Sequence, residues 1–145
     1  MKEPLTQTIS FLGFVPPNSN RTFVSQRLTL PFKTKKIAAS FTPGVWRLLN
    51  LQFFLSRDPE APTLAPPQGV NILSSHGQVN FLTGDEDRKE LEHEVEFSES
   101  GGYVKVYATN TDTFEHVVDA QVTIQFIEEY DNSKINKISE GDAGI

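Results

Sequence analysis

Three histidines and 19 acidic residues are the groups in this 145-residue chain that could hold a metal or move a proton. His76, His93 and His116 show no ligand spacing, so each reads as a structural histidine rather than a zinc ligand. The run GDED at 84–87, with Asp58 and Asp112 in other loops, offers oxygens for calcium but lacks the staggered Asp/Asn–Gly–Glu pattern of a dedicated site. A solvated acidic loop is the plainer reading. In EHEVE, Glu92, Glu94 and Glu96 share one strand face opposite His93 and Val95. Three like charges at period two suit a wet face that resists edge pairing, or a patch for a basic neighbour, better than an acid–base pair. There is no Gly-x-Ser-x-Gly elbow, no cysteine nucleophile and no Gly-rich phosphate loop. The expectation is a protein that is not an enzyme, with no cofactor and no metal.

A second kind of chemistry is aromatic stacking. Trp46 lies near a turn, and Tyr103 and Tyr107 share the strand face opposite Val104, Val106 and Ala108. Such residues stack on sugar rings or sit at subunit contacts, and the sequence leaves both open.

The elements that must position these groups read as strands. Residues 116–126, HVVDAQVTIQF, place Val118, Ala120, Val122, Ile124 and Phe126 at every second position, the mark of a half-buried strand. Similar stretches are 5–14, 21–30, 35–41 and 103–109, with 91–97 alternating through Leu91, His93, Val95 and Phe97. VWRLLNLQFFL at 45–55 is the most apolar; a short buried helix is possible, but its length and flanking turn residues favour a central strand. VNIL and QVNFL around SSHG read as a hairpin. The segment 56–69 carries four prolines in fourteen residues, which predicts an extended, pre-ordered loop lying over something. Eight to nine strands without βαβ alternation predict an all-β, single-domain sandwich of jelly-roll type over 1–127. Residues 128–145 then form an arm or tail that either stays mobile or docks.

Composition sets the limits. One domain with a real core fits the length, and 11 Phe can carry it. No apolar run suits a membrane span, and MKEPLTQTIS lacks a hydrophobic signal core. No Cys and one Met fit a chemically durable protein. Residues 1–57 hold eight Lys/Arg and only Glu3 as an acid, a net +7, while the remaining 88 residues hold five basic and 18 acidic, a net −13. The two halves could attract each other between copies, or their charges could interleave on one surface. An acidic chain without a basic–aromatic motif gives no support to nucleic-acid binding.

Taken together, GVWRLLNLQFFLSRDPEAP, GVNILSSHGQVNFL and GGYVKVYATNTDTFEHVVDAQVTIQF resemble β-sandwich proteins that decorate the capsids of tailed, thermophilic bacteriophages. The resemblance, over about residues 20–127, is one of size, strand grammar and composition. It implies a homotrimer on the virion surface that clamps major capsid protein subunits, is thermostable and carries no catalysis. The contact residues expected on that reading are Asp58, Pro59, Pro62, Pro66 and Pro67 in the loop, and Tyr130, Ile135, Ile138 and Ile145 in the tail. A carbohydrate-binding module using Trp46, Tyr103 and Tyr107 is the alternative, with a tail or baseplate structural protein as a third reading.

Overall fold

The computed structural model describes residues 5–46, 48–74, 79–98 and 101–127. The tail positions Tyr130, Ile135, Ile138 and Ile145, and His76, lie outside them. Among the described residues nine strands follow one another: β1 (Thr6–Val15), β2 (Ser19–Val24), β3 (Phe32–Phe41), β4 (Leu49–Ser56), β5 (Val70–Asn71), β6 (Asp87–Leu91), β7 (Glu96–Phe97), β8 (Tyr103–Asn110) and β9 (His116–Phe126). They form two antiparallel sheets. Sheet A runs β1-β9-β3-β6, with β7 also on β3, and sheet B runs β2-β8-β4-β5.

The pairing is nested: β1 with β9, β2 with β8, β3 with β6 and β7, β4 with β5. A long antiparallel ribbon folded over itself gives this order, and it defines the jelly roll. The expected all-β sandwich is what the chain forms.

Alternation explains the core. Phe11 and Val15 of β1, Val118, Ala120, Val122 and Ile124 of β9, and Ile37, Ala39 and Phe41 of β3 point inward from sheet A. Leu49, Leu51, Phe53 and Leu55 of β4, with Val104, Val106 and Ala108 of β8, answer them from sheet B. Each large side chain so removed from water contributes roughly 1.5–3 kcal/mol before ordering costs. Phe32 and Phe97 close one end, stacked at 5.5 Å.

Two elements differ from the sequence reading. Residues 91–97 keep their in–out alternation but are not one strand: β6 ends at Leu91 and β7 starts at Glu96. The cause is a bulge in β3, where the register with β9 slips between Thr34 and Lys36. One extra residue bends the strand. The buried Thr34 hydroxyl then replaces ladder bonds, donating to the His93 carbonyl at 2.7 Å and accepting from Val95 N–H at 3.0 Å. Likewise, Val70–Asn71 pairs with Leu55 and Phe54, and Leu82 bridges Leu51, so both flanks of the expected hairpin lie along β4 and not on each other. Asn71 draws the flanks together, its amide donating to the Asn80 carbonyl at 3.0 Å.

Candidate functional site

At one end of the sandwich the β1–β2 turn, the β3–β4 loop, the β8–β9 loop and residues 83–86 are bound into one platform. Asn110, fully buried at the end of β8, donates to the carbonyls of Val15 (3.1 Å), Pro16 (3.2 Å) and Phe114 (2.9 Å). Its own carbonyl accepts from Asp112 N–H at 3.0 Å. Asp112 Oδ2 meets His116 Nε2 at 2.7 Å, and Asn18 N–H reaches the Asp112 carbonyl at 3.0 Å. The bond from His116 holds the Asp112 carboxyl below its usual range. His116 is therefore a loop brace.

On this platform Trp46 is 73% exposed, and Phe114 is 70% exposed. Trp46 has a left-handed backbone, φ 54°, which costs energy for a bulky residue. Its N–H is held by Asp85 Oδ1 at 2.9 Å, and Asp85 N–H is held in turn by Asp87 Oδ1 at 3.1 Å. Gly84 makes this packing possible, since a Cβ there would lie 2.3 Å from Asp87 Oδ1 and 2.9 Å from the Phe41 ring. The GDED run is thus a clamp on the tryptophan loop. Among the described residues no three His, Asp or Glu side chains come together to hold a metal ion; Asp58 is spent on a lysine and Asp112 on a histidine.

The Pro-rich loop lies across the outer face of its own sheet B. Lys105 points outward from β8 yet is fully buried, and its ammonium reaches Asp58 Oδ1 at 2.8 Å. That bond, followed by the Glu60 N–H, lowers the Asp58 pKa. Thr22 Oγ1 donates to the Pro62 carbonyl and Asn20 to the Thr63 carbonyl. Gly69, φ 136°, brings the chain back to β4 so closely that a Cβ would meet the Leu55 carbonyl at 2.2 Å. Of the loop residues expected to make contacts, Asp58, Pro62 and Pro67 are engaged or shielded in this cover, while Pro59 and Pro66 face solvent, with Leu64 95% exposed.

The same cover corrects the stacking trio. Tyr107 is 3% exposed and its phenol pKa is raised by burial, so it offers no ring face. Tyr103 pairs with Ser56, whereas Trp46 precedes Leu49, which pairs with Asn110. Seven residues of strand, about 23 Å, separate those two ends. Trp46 and Tyr103 do not form a cluster.

The opposed charges of the two halves of the chain meet on one margin of sheet A. Because of the bulge, Lys33, Lys35 and Lys36 all reach its rim. Lys33 and Lys35 pair with Glu94, Lys36 and Arg88 pair with Glu90, and Lys89 pairs with Asp87. The interleaved reading of the charge split is the one the fold adopts.

No family model and no curated protein sequence matches the chain. Solved structures give fold-level likeness only. The mitogen YPM derived from Yersinia pseudotuberculosis is 9% identical with a TM-score of 0.40, over 86% of this chain and 89% of that one. A chain of Broad Bean Stain Virus is 7% identical at 0.40, over 88% and 86%. A chain of infectious bursal disease virus Gt strain is 7% identical at 0.41, over 85% of this chain but 32% of that one. The jelly-roll class of this protein rests on its own strand order.

Proposed function

We propose that this is a structural virion protein that decorates a tailed-phage capsid and cements neighbouring major capsid protein subunits, without catalysis or cofactor. The observation that carries the reading is the braced platform with exposed Trp46 and Phe114. Two large aromatic side chains left in water on hydrogen-bonded loops are what a docking surface needs, because little ordering cost remains on binding. Many copies on a lattice add avidity, so each contact can be small. The Pro-rich loop, fixed to its own sheet, stiffens the module and leaves its outer rim at Pro59, Leu64 and Pro66 for neighbours. The homotrimer implied by the resemblance is a separate expectation that the cementing role does not require, since avidity follows from any number of copies on the lattice.

The test is co-sedimentation with expanded, undecorated heads of a thermophilic tailed phage, with Trp46→Ala and Phe114→Ala as variants. The expected result is saturable pelleting that each variant weakens at least about tenfold, about 1.4 kcal/mol, together with a raised temperature of head disruption. A sugar-binding module remains the alternative because Trp46 alone can stack on a ring. No pelleting, with Trp46-dependent binding on a glycan array, would replace the first reading by the second.

A further inference from the structure

We propose that β1 pairs with β1 of a second copy of this chain, antiparallel across a two-fold axis, so that sheet A runs on from one copy into the other. β1 is an edge strand, bound on one side by β9. The Phe126 N–H donates to the Leu5 carbonyl at 2.9 Å, and the register pairs Thr6 with Gln125. In an antiparallel ladder hydrogen-bonded pairs alternate, so the odd positions of β1 bond to β9. Thr6, Thr8, Ser10, Leu12 and Phe14 therefore turn their N–H and C=O groups to the open side. Arg21 Nη1 takes the Phe14 carbonyl at 2.8 Å, as that alternation requires. Backbone hydrogen bonds among the described residues outside the ladders reach none of the other four.

Such an edge is a template for pairing, and folds usually blunt it with charge, proline or a bulge. β1 has none of these. Residues 5–15, LTQTISFLGFV, contain no charged residue and no proline, and the register with β9 is unbroken. Self-pairing sets this strand against itself. The strand carries no charge, and the Arg21 guanidinium on the Phe14 carbonyl sits at one end, so an antiparallel pairing centred near Ser10 keeps the guanidinium groups of the two copies at opposite ends. Leu12 is 72% exposed and Phe14 is 56% exposed on the outer face. Antiparallel pairing keeps outer faces on one side, so these side chains gain neighbours across the axis.

A cleft supplies an independent argument. It opens along this edge between the sheets, lined by Ile9 and Phe11 of β1 and by Val24, Gln26 and Leu28 of the segment leaving β2. Among the described residues no charged side chain lines it. Ile9 and Val24 at its mouth are only half-buried. A two-fold axis beside β1 turns the mouths of two clefts toward each other, and both become covered.

The chain has no cysteine, which makes the test direct. Thr8→Cys, Ser10→Cys and Leu12→Cys are made one at a time, oxidised, and compared with the parent by light scattering. Adjacent antiparallel strands bring opposed Cα atoms to about 4.5–5.5 Å, within disulfide range. The expected parent mass is an even number of chains. The expected disulfide dimer is strongest at the one position nearest the axis and falls away at the others. Leu12→Lys, on an exposed side chain, should keep the far- and near-ultraviolet spectra and break the contact. A mass of one or three chains, or cross-linking that is absent or equal at all three positions, overturns the proposal. A single chain that gains mass only on capsid shells overturns it too, and gives the edge to a segment of another protein. Pelleting on phage heads is read separately, so either proposal can fail alone.

Discussion

The two edges of sheet A solve the same problem in opposite ways. β6 is five residues long and four of them, Asp87, Arg88, Lys89 and Glu90, are charged and tied into ion pairs with β3 or with one another. Any strand approaching it must displace these charges from water and from their partners. β1 is ten residues long and uncharged. Sheet B shows a third solution, which is to lay a proline-stiffened loop over an outer face that would otherwise expose Phe54 and Tyr107. Among the described residues one edge of sheet A is guarded by charge and one face of sheet B by a cover, whereas the long edge β1 carries neither, which is what a strand kept for pairing looks like.

The largest effect is expected where the cover is removed. Lys105→Ala takes away a fully buried stem and the partner of Asp58. The loss should be about 2–3 kcal/mol, mostly packing, because Asp58 is 40% exposed and stays hydrated without its partner. Lys105→Met keeps the volume and should cost less than about 1.5 kcal/mol. Urea unfolding checks both, and hydrogen exchange should show the 57–69 backbone opening in each variant before the sheets. Equal losses for Ala and Met would mean that charge, rather than packing, holds the cover down.

That cover is also where the sequence was hardest to read. β9 was legible to the residue, because alternation of Val118, Ala120, Val122 and Ile124 is a local property. The outward direction of Lys105 and Tyr107 is legible too, but on a covered face an outward side chain is not an exposed one. Where a loop lands is a long-range fact, and composition gave only its stiffness. One signal was available: Phe53 and Phe54 are adjacent, and two large apolar residues in succession on a strand mean that both faces are covered. On the platform, Trp46 was legible as a turn aromatic. Its clamp of Asp85, Asp87 and Gly84 was not, since those residues read equally well as an ion cage or a wet loop. The bulge at Thr34 was hidden because a buried threonine standing in for ladder bonds leaves the alternation of 91–97 intact.

An intermediate effect on assembly is expected from making β6 resemble β1. Arg88→Thr, Lys89→Thr and Glu90→Thr together should change the stability of the single chain by less than about 1 kcal/mol, since exposed ion pairs contribute little. They should change its association far more, because two bare edges per chain allow open-ended growth. Light scattering should show masses that rise with concentration in place of a fixed even number. Adding Leu12→Lys to the triple variant should return a closed two-chain species, now joined through β6. An unchanged mass in the triple variant would show that charge is not what guards this edge.

The smallest effect separates the edges by pH. Glu94 and Glu90 titrate below their ordinary value of 4.5, Glu94 through its bond from Lys35 and Glu90 through its bond from Arg88. A carboxyl whose pKa is lower folded than unfolded stabilises the fold fully above the unfolded value. That contribution is lost as pH falls from there through the folded value, because the unfolded chain binds the proton first. Stability should therefore be flat in these groups from pH 7 to about 4.5 and decline below, and Glu94→Gln should flatten the decline. Both side chains are well solvated, so the slope should be shallow and should weaken further in high salt. β1 carries no titratable side chain at all. Its pairing should hold the same native mass across this range until the chain itself unfolds. A dimer that dissociates between pH 7 and 5 while the fold persists would place ionised groups in the contact, and β1 has none to supply.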